Sequence, residues 1–462
     1  MSPPRRPGAG GAARRPRARP GPVTPARAVA FAVVRRTFEQ GAYTDQALHA
    51  EAARAGLSGR DLAFATRLAY GTVQRAGTLD HLIAVFARRP PARLDPPVRA
   101  ALRLGLYQLL WLDGVADHAA VSESVQLVAG HRGGGLVNAV LRRAAREGRA
   151  LVDALDDGDP AAAAVACSVP EWLARMWWDE LGAGEARALL RTVNAPAEGA
   201  LRANTLVGTA AELQDALAAR GVPARPAPGL PDGLVLGGPF DAHGSDLFAA
   251  GALMPQSRGS MAVAHAAAPA PGSRILDLCA APGAKATHLA ALAGPDAEVV
   301  AVERHGGRAA ALARTAARLH AGTVTVETGD AAAPRADGPF DLVVLDPPCS
   351  GLGTLQSRPD LRWKVSPEGI RGLAEAQAAL LAAAAEAVRP GGVLVYSVCT
   401  ISRQEGADRI AALRAAHPAF RPDPVRASDA VWQDWRVGDH LEILPHRHGT
   451  DGFFISRLRR EA

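Results

Sequence analysis

Residues 273–288 read SRILDLCAAPGAKATH, and the way this stretch folds decides the architecture of the C-terminal half. SRILDLC (273–279) is an apolar run of strand length, CAAPGAKA (279–286) is a turn of small residues, and a helical pattern follows at His288–Leu292. Further strands are expected at EVVAVE (298–303), VTVETGD (324–330), FDLVVLD (340–346) and GGVLVYSVC (391–399), separated by Ala-rich helical segments. Strands alternating with helices predict a doubly wound parallel sheet. DGFFISRL (451–458) is expected to add an edge strand.

In such a sheet the first strand-to-helix turn is where a nucleotide-like ligand sits. Cys279, Ala280, Ala281, Pro282, Gly283 and Ala284 are small enough to bring backbone amides close to it, and a helix N-terminus favours a carboxylate. Glu303 ends the second strand, where an acid accepts ribose hydroxyls, and Asp330 ends the third, within reach of an adenine amine. The glycines of a nicotinamide-binding GxGxxG are missing from APGAK, which speaks against a dehydrogenase.

The fourth strand ends in Asp346-Pro347-Pro348-Cys349-Ser350-Gly351 and the fifth in Tyr396-Ser397-Val398-Cys399-Thr400. Parallel strands open their carboxyl ends on one crevice, so two thiols fifty residues apart meet there. Two thiols, a carboxylate and Lys285 at one rim fit methylation of pyrimidine C5. A thiolate adding to C6 makes C5 nucleophilic, Asp346 polarises the ring at N3 and its amino group, and Lys285 steadies charge. This chemistry leaves the order of the two thiols open. Cys167 reads as a buried, inert thiol and Cys279 as a packing or backbone contributor to the loop.

Working outward, residues 1–25 form a basic tail expected to be disordered. Residues 1–27 carry seven arginines and no acid, and without them basic and acidic residues number 45 and 46. The net charge of +6 therefore belongs to the tail and does not by itself establish a nucleic-acid partner. Residues 26–150 read as a helical bundle, with apolar periodicity through Ala28–Phe38, Asp61–Val73, Leu79–Phe86, Pro97–Leu112 and Ala119–Val128, the last capped by Asp117. Residues 151–250 comprise a connector (151–170) and a small α+β domain containing LRANTL (201–206) and TAAELQDALAARG (209–221), and 251–462 form the α/β domain. Four cysteines without CxxC spacing give no zinc site, and no apolar run is long enough to span a bilayer. The expectations are no metal, no membrane and a cytoplasmic location. Only Lys285 and Lys364 are lysines against fifty arginines, which singles out Lys285.

DLCAAPGAKAT, DPPCSGLGTLQSRPDLRW and YSVCTI resemble the cofactor and two-cysteine motifs of the Nop/Sun family of RNA 5-methylcytosine methyltransferases. GLYQLLWL, HAAVSESVQL and GLVNAVLRR, within residues 26–145, resemble a NusB-like RNA-binding domain. The resemblance implies an all-α NusB-like bundle, a small α+β middle domain and a C-terminal α/β Rossmann-like methyltransferase domain. It implies S-adenosyl-L-methionine held by residues 279–285, Glu303, Asp330 and Asp346, and small-subunit ribosomal RNA as substrate. It assigns attack to Cys399 and product release to Cys349. Arg358 and Trp363, beside the catalytic loop, are candidates to grip backbone and stack bases. Ala284 and Ala286 replace a Gly and a Thr of the family's APGGKT, and a positive φ at Ala284 would cost on the order of 1 kcal/mol. Gln256 lacks the usual acid after it, and Glu405 is followed by Gly406 where the family has Asn. Two other classes compete: an adenine amino-group methyltransferase, which has no use for a partner thiol, and an RNA-binding antitermination factor with an inactive methyltransferase half.

Overall fold

The computed structural model describes residues 23–335, 337–424 and 429–462, so most of the expected basic tail lies outside the described residues. The chain forms two compact units: residues up to Thr72 with Leu79–Asp153, and Val73–Thr78 with Ala154–Ala462.

The first unit is helical because its apolar positions recur every three and four residues, leaving each helix one stripe to bury. Helices Pro25–Glu39, Gly59–Gln74, Ala76–Ala87, Pro96–Trp111 and Asp117–Gln126 correspond to the five expected segments, the last two ending before Leu112 and Leu127, and Thr44–Ala55 and Gly134–Asp153 join them. Asp117 is not the cap. Ala116 takes the extended cap conformation and Asp117 is the first helical residue, where its charge still suits the helix dipole. Packing is close: a Cβ on Gly71 would lie 2.0 Å from the Tyr107 ring. Arg27 is buried because Gln108 Oε1 (2.6 Å) and Glu123 Oε1 (2.9 Å) accept its hydrogen bonds.

In the second unit, residues 151–170 are more than a connector. They hold helix Pro160–Cys167, started by Asp159, whose side chain accepts from the Ala161 and Ala162 N–H groups. The alanines there are helix formers and proline suits the first helical position. Helices Glu171–Leu181 and Ala183–Thr192 follow. Strands β1 (Ala200–Ala203), β2 (Ala224–Ala227), β3 (Leu230–Leu236) and β4 (Leu253–Pro255) form an antiparallel sheet in the order β2-β3-β1-β4. Helix Ala210–Ala218 joins β1 to β2 and opens with a reciprocal Thr209–Glu212 capping box.

Helix Arg258–Ala267 leads into the large sheet. Its strands are β5 (Arg274–Leu278), β6 (Glu298–Glu303), β7 (Val324–Thr328), β8 (Phe340–Leu345), β9 (Val388–Val398), β10 (Phe420–Pro422), β11 (Arg436–Val437), β12 (His440–Ile443) and β13 (Phe453–Arg460). The order is β11-β12-β13-β9-β8-β5-β6-β7, with β10 on β13. β9, β8, β5, β6 and β7 are parallel; β5, β6, β8 and β9 are near-continuous apolar runs buried on both faces, and β7, VTVET, is the half-exposed strand at the far edge. DGFFISRL does not form the edge. β13 lies antiparallel between β9 and β12, and its first six residues are buried. The short β11–β12 hairpin supplies the edge instead. No helix among the described residues is long and apolar enough to cross a membrane.

Candidate active site

The loop after β5 is shaped by backbone conformations that small residues tolerate. Cys279 has φ +64° and Gly283 φ +104°. Gly283 is doubly constrained, since a Cβ there would come within 2.5 Å of Leu312 Cδ1. Gly283 is also the N-cap of helix Ala284–Ala293, which starts four residues earlier than the sequence suggested. Ala284 is thus an ordinary first helical residue, and the positive-φ strain considered for it does not arise. No side chain caps this helix, so its first N–H groups face the loop without a side-chain acceptor.

Three acids stand near this loop. Asp277 is fully buried on β5 and its two carboxylate oxygens accept no hydrogen bond from the protein. Burial, opposed by Lys285 and aided by Asp346, pushes its carboxyl up to about 8. Glu303 is 3 % exposed and accepts from the His305 N–H at 3.0 Å. Arg308 Nη2, 3.5 Å from Glu303 Oε2, also donates to the Ala281 carbonyl at 3.0 Å, joining β6 to the loop. Asp330 is exposed and accepts from the Ala332 N–H at 3.0 Å. A loop of small residues, an uncapped helix N-terminus and acids with spare acceptor capacity at successive strand ends fit a ligand bearing a carboxylate, hydroxyls and amines. Cys279 itself has its thiol pushed up to about 12 by burial and by the charges of Asp346, Asp277 and Glu303, which suits a packing role.

At the ends of β8 and β9 the two thiols meet, with Cys349 Sγ and Cys399 Sγ 3.3 Å apart. The hydrogen bond to Cys399, then burial and the charges of Cys399, Glu405 and Asp346, hold the Cys349 thiol well above its usual range. Lys285 Nζ donates to Asp346 Oδ2 at 2.6 Å, and Ser397 Oγ donates to Asp346 Oδ1 at 3.1 Å. Burial alone would lower the Lys285 ammonium, but the Asp346 carboxylate, helped by Cys399, holds it above its ordinary value. The Phe453 ring centroid lies 5.6 Å from Lys285 Nζ. Gly353 donates to the Cys399 carbonyl at 3.1 Å and accepts from Gly452 N–H at 2.8 Å. Its missing side chain is required, because a Cβ would meet the Gly452 carbonyl at 2.2 Å.

The structure therefore brings Lys285, Asp346, Cys349 and Cys399 into one cluster, with Cys279 to Ala284 and Asp277 alongside. It also brings in residues to which the sequence reading gave no role in the site. Glu405, Gln377, Ser350 and Thr400 bond to one another behind the thiols. Arg202 on β1 is fully buried and donates to Thr287 Oγ1 at 3.0 Å and Gln256 Oε1 at 2.9 Å, tying the middle sheet to the cofactor-loop helix. The arginine within the apolar LRANTL was its only signal. For Trp363, which the sequence leaves open between base stacking and core packing, the structure shows inward contacts. Its indole donates to the Val73 carbonyl at 2.8 Å, and its ring covers Gly77.

Asp232, His265 and His288 also converge, all buried, the histidine Nε2 atoms 2.7 and 2.5 Å from separate carboxylate oxygens. The set has the donors of a metal centre. Burial and the nearby Arg202 charge push His288 down to about 3, so it stays neutral while Arg202 balances Asp232. A metal ion would add charge beside that guanidinium, and the cluster reads as a hydrogen-bonded clasp between β3 and helices Arg258–Ala267 and Ala284–Ala293.

Comparison with known proteins gives the family and the domains. Residues 264–459 match the 16S rRNA methyltransferase RsmB/F family, 24–146 the NusB family, and 169–243 the ferredoxin-like domain of RsmF/B-like methyltransferases. A probable ribosomal RNA small subunit methyltransferase B of Synechocystis sp. is 37% identical over 444 residues, covering 94% of this chain and 99% of that protein. The chain belongs to the RsmB/F family of ribosomal RNA methyltransferases. The Thermus thermophilus ribosomal RNA small subunit methyltransferase B is 40% identical over 404 residues, 87% of this chain and 89% of its own length. The crystal structure of PH0851 superposes with a TM-score of 0.79 at 25% identity, covering 96% of this chain and all of that one. NSun6 from Pyrococcus horikoshii, solved with SFG, shares the fold at a TM-score of 0.57 and 22% identity, over 63% of this chain and 98% of its own. The RsmB/F chain described here thus has a NusB helical domain, a ferredoxin-like middle domain and a Rossmann-like methyltransferase domain.

Proposed function

We propose that this RNA methyltransferase forms 5-methylcytosine in small-subunit ribosomal RNA in the cytoplasm, with S-adenosyl-L-methionine as methyl donor and Cys399 as nucleophile. The observation that carries the reading is the pair of thiols 3.3 Å apart beside the Lys285–Asp346 ion pair. The domain limits proposed with it are 26–150 for the RNA-binding bundle, 151–250 for the linker and middle domain, and 251–462 for the catalytic domain.

Residues 279–285, Glu303, Asp330 and Asp346 would hold the donor, which when bound supplies an electrophilic methyl group for C5. Cys399 forms a bond to cytosine C6. Asp346, held by Lys285 and Ser397, would accept hydrogen bonds from the cytosine amino group and from N3 once N3 has taken a proton from solvent. After methylation a base takes the C5 proton, and the Cys399–C6 bond breaks to restore the aromatic ring. Attack by Cys399 and release by Cys349 is the order that the family resemblance implies; the 3.3 Å contact puts both sulfurs within reach of one base. This chemistry runs on thiols, an acid and an ammonium and calls on no metal ion.

Mass spectrometry of nucleosides from ribosomal RNA treated with the enzyme and labelled donor tests the reading. Labelled 5-methylcytidine is the expected product. Labelled N6-methyladenosine would transfer the chain to the amino-group class, and no donor binding in calorimetry would leave an RNA-binding protein alone.

A further inference from the structure

One buried carboxylate touches the residue that follows each of the two thiols. Glu405 is fully buried. Its Oε1 accepts from the Ser350 N–H at 2.8 Å and from Gln377 Nε2 at 3.0 Å, while Oε2 accepts from the Ser350 hydroxyl and, at 3.4 Å, from Thr400 Oγ1. Ser350 and Thr400 are themselves 2.6 Å apart. Gln377 also donates to the Pro348 carbonyl at 3.0 Å, and the Tyr396 hydroxyl donates to the Glu405 backbone carbonyl at 2.6 Å. Pro348 and Ser350 flank Cys349, and Thr400 follows Cys399. One acceptor thus gathers donors from both thiol loops and from helix Pro367–Ala387.

We propose that Glu405 is a positioning residue for the two-thiol reaction, fixing the separation of Cys349 and Cys399 by binding Ser350 and Thr400 together. The proposal rests on the two-thiol reading for its catalytic consequence, but the geometry it claims is independent of RNA and donor. The Ser350 N–H and the Gln377 Nε2, whose own amide oxygen accepts from Tyr396, can only donate, so the group that faces them must present an oxygen. An amide in its place keeps an oxygen toward those donors and turns its NH₂ to hydroxyls that reverse easily. Glutamine is therefore the conservative variant. Alanine leaves the buried Ser350 N–H without its acceptor and frees the loop.

The direct readout is closure of the Cys349–Cys399 disulfide by oxidised glutathione in the full-length protein. Two protein thiols lose their protons, one S–S bond forms, and the reagent is reduced to two molecules of glutathione. Closure in Glu405→Ala is expected to slow by about tenfold or more, since displacements near 1 Å carry penalties of that order and beyond. Glu405→Gln is expected to close near the wild-type rate. Under the proposed reaction kcat falls in parallel in Glu405→Ala while KM for RNA and donor affinity hold, and glutamine restores it. If Glu405→Ala does not fold, Ser350→Ala carries the test, with slower closure expected. A folded Glu405→Ala or Ser350→Ala that closes at the wild-type rate overturns the proposal. Slowed closure in an enzyme that makes no 5-methylcytidine supports the positioning and removes only the proposed reaction.

Discussion

At the ends of β8 and β9, Glu405 alone collects donors from Ser350, Gln377 and Thr400, and Asp346 is held by Lys285 and Ser397. At the ends of β6 and β7 the acids are less engaged. Glu303 accepts one backbone N–H and lies 3.5 Å from Arg308, and exposed Asp330 accepts one backbone N–H. The difference is physical economy. Groups that must meet a transition state gain from being fixed beforehand, because no reorganisation is then needed during reaction. Groups that bind a small ligand keep acceptors open, and the ligand completes them. Substitutions on the two sides should therefore give separable defects, one in turnover and the other in donor affinity.

The largest separation is expected from Cys399→Ala. Methyl transfer should fall by about 10³-fold or more while donor affinity in calorimetry stays unchanged, as loss of a covalent nucleophile acts on turnover. Next is Glu303→Ala, which should weaken donor binding by about 10- to 100-fold, the scale of hydrogen bonds to a charged group, while disulfide closure keeps its rate. Asp277 gives a pH signature. Its folded carboxyl lies near 8 against an unfolded value of about 3.9. Between those values the folded state holds a proton that the unfolded chain has lost, so rising pH favours unfolding, by at most about 1.4 kcal/mol per pH unit. This contribution is complete below pH 4 and is lost as pH climbs through 8. Asp277→Asn should flatten that decline in melting temperature measured from pH 5 to 9, and an unchanged slope would assign it elsewhere. The smallest effect is expected from exposed Asp330→Ala, a loss of donor affinity of about threefold to tenfold, the worth of one solvent-facing hydrogen bond.

The sequence made β5, β6, β8 and β9 legible because each is an apolar run bounded by turns, β7 because it alternates apolar and polar residues, and the thiols because both follow apolar runs. The position of β13 was hidden, since β11 and β12 are two and four residues long and carry too few apolar positions to announce strands beyond it. Helix Pro160–Cys167 was hidden by reading alanines as a linker. Glu405 stood in view but carried no sign of its partners, which come from residues 28 and 55 positions away in the chain. The same holds for Arg202 and for the Asp232–His265–His288 clasp. A buried polar residue is readable from sequence only as an anomaly, and what satisfies it is decided by tertiary packing.

The most direct test of the two-thiol account is to incubate Cys349→Ala with S-adenosyl-L-methionine and ribosomal RNA, then run a denaturing gel and map any crosslinked peptide. The expected result is an RNA–protein adduct on Cys399, trapped because release is blocked. No adduct in this variant, together with continued methyl transfer by Cys399→Ala, would contradict the assignment and make Cys349 the nucleophile.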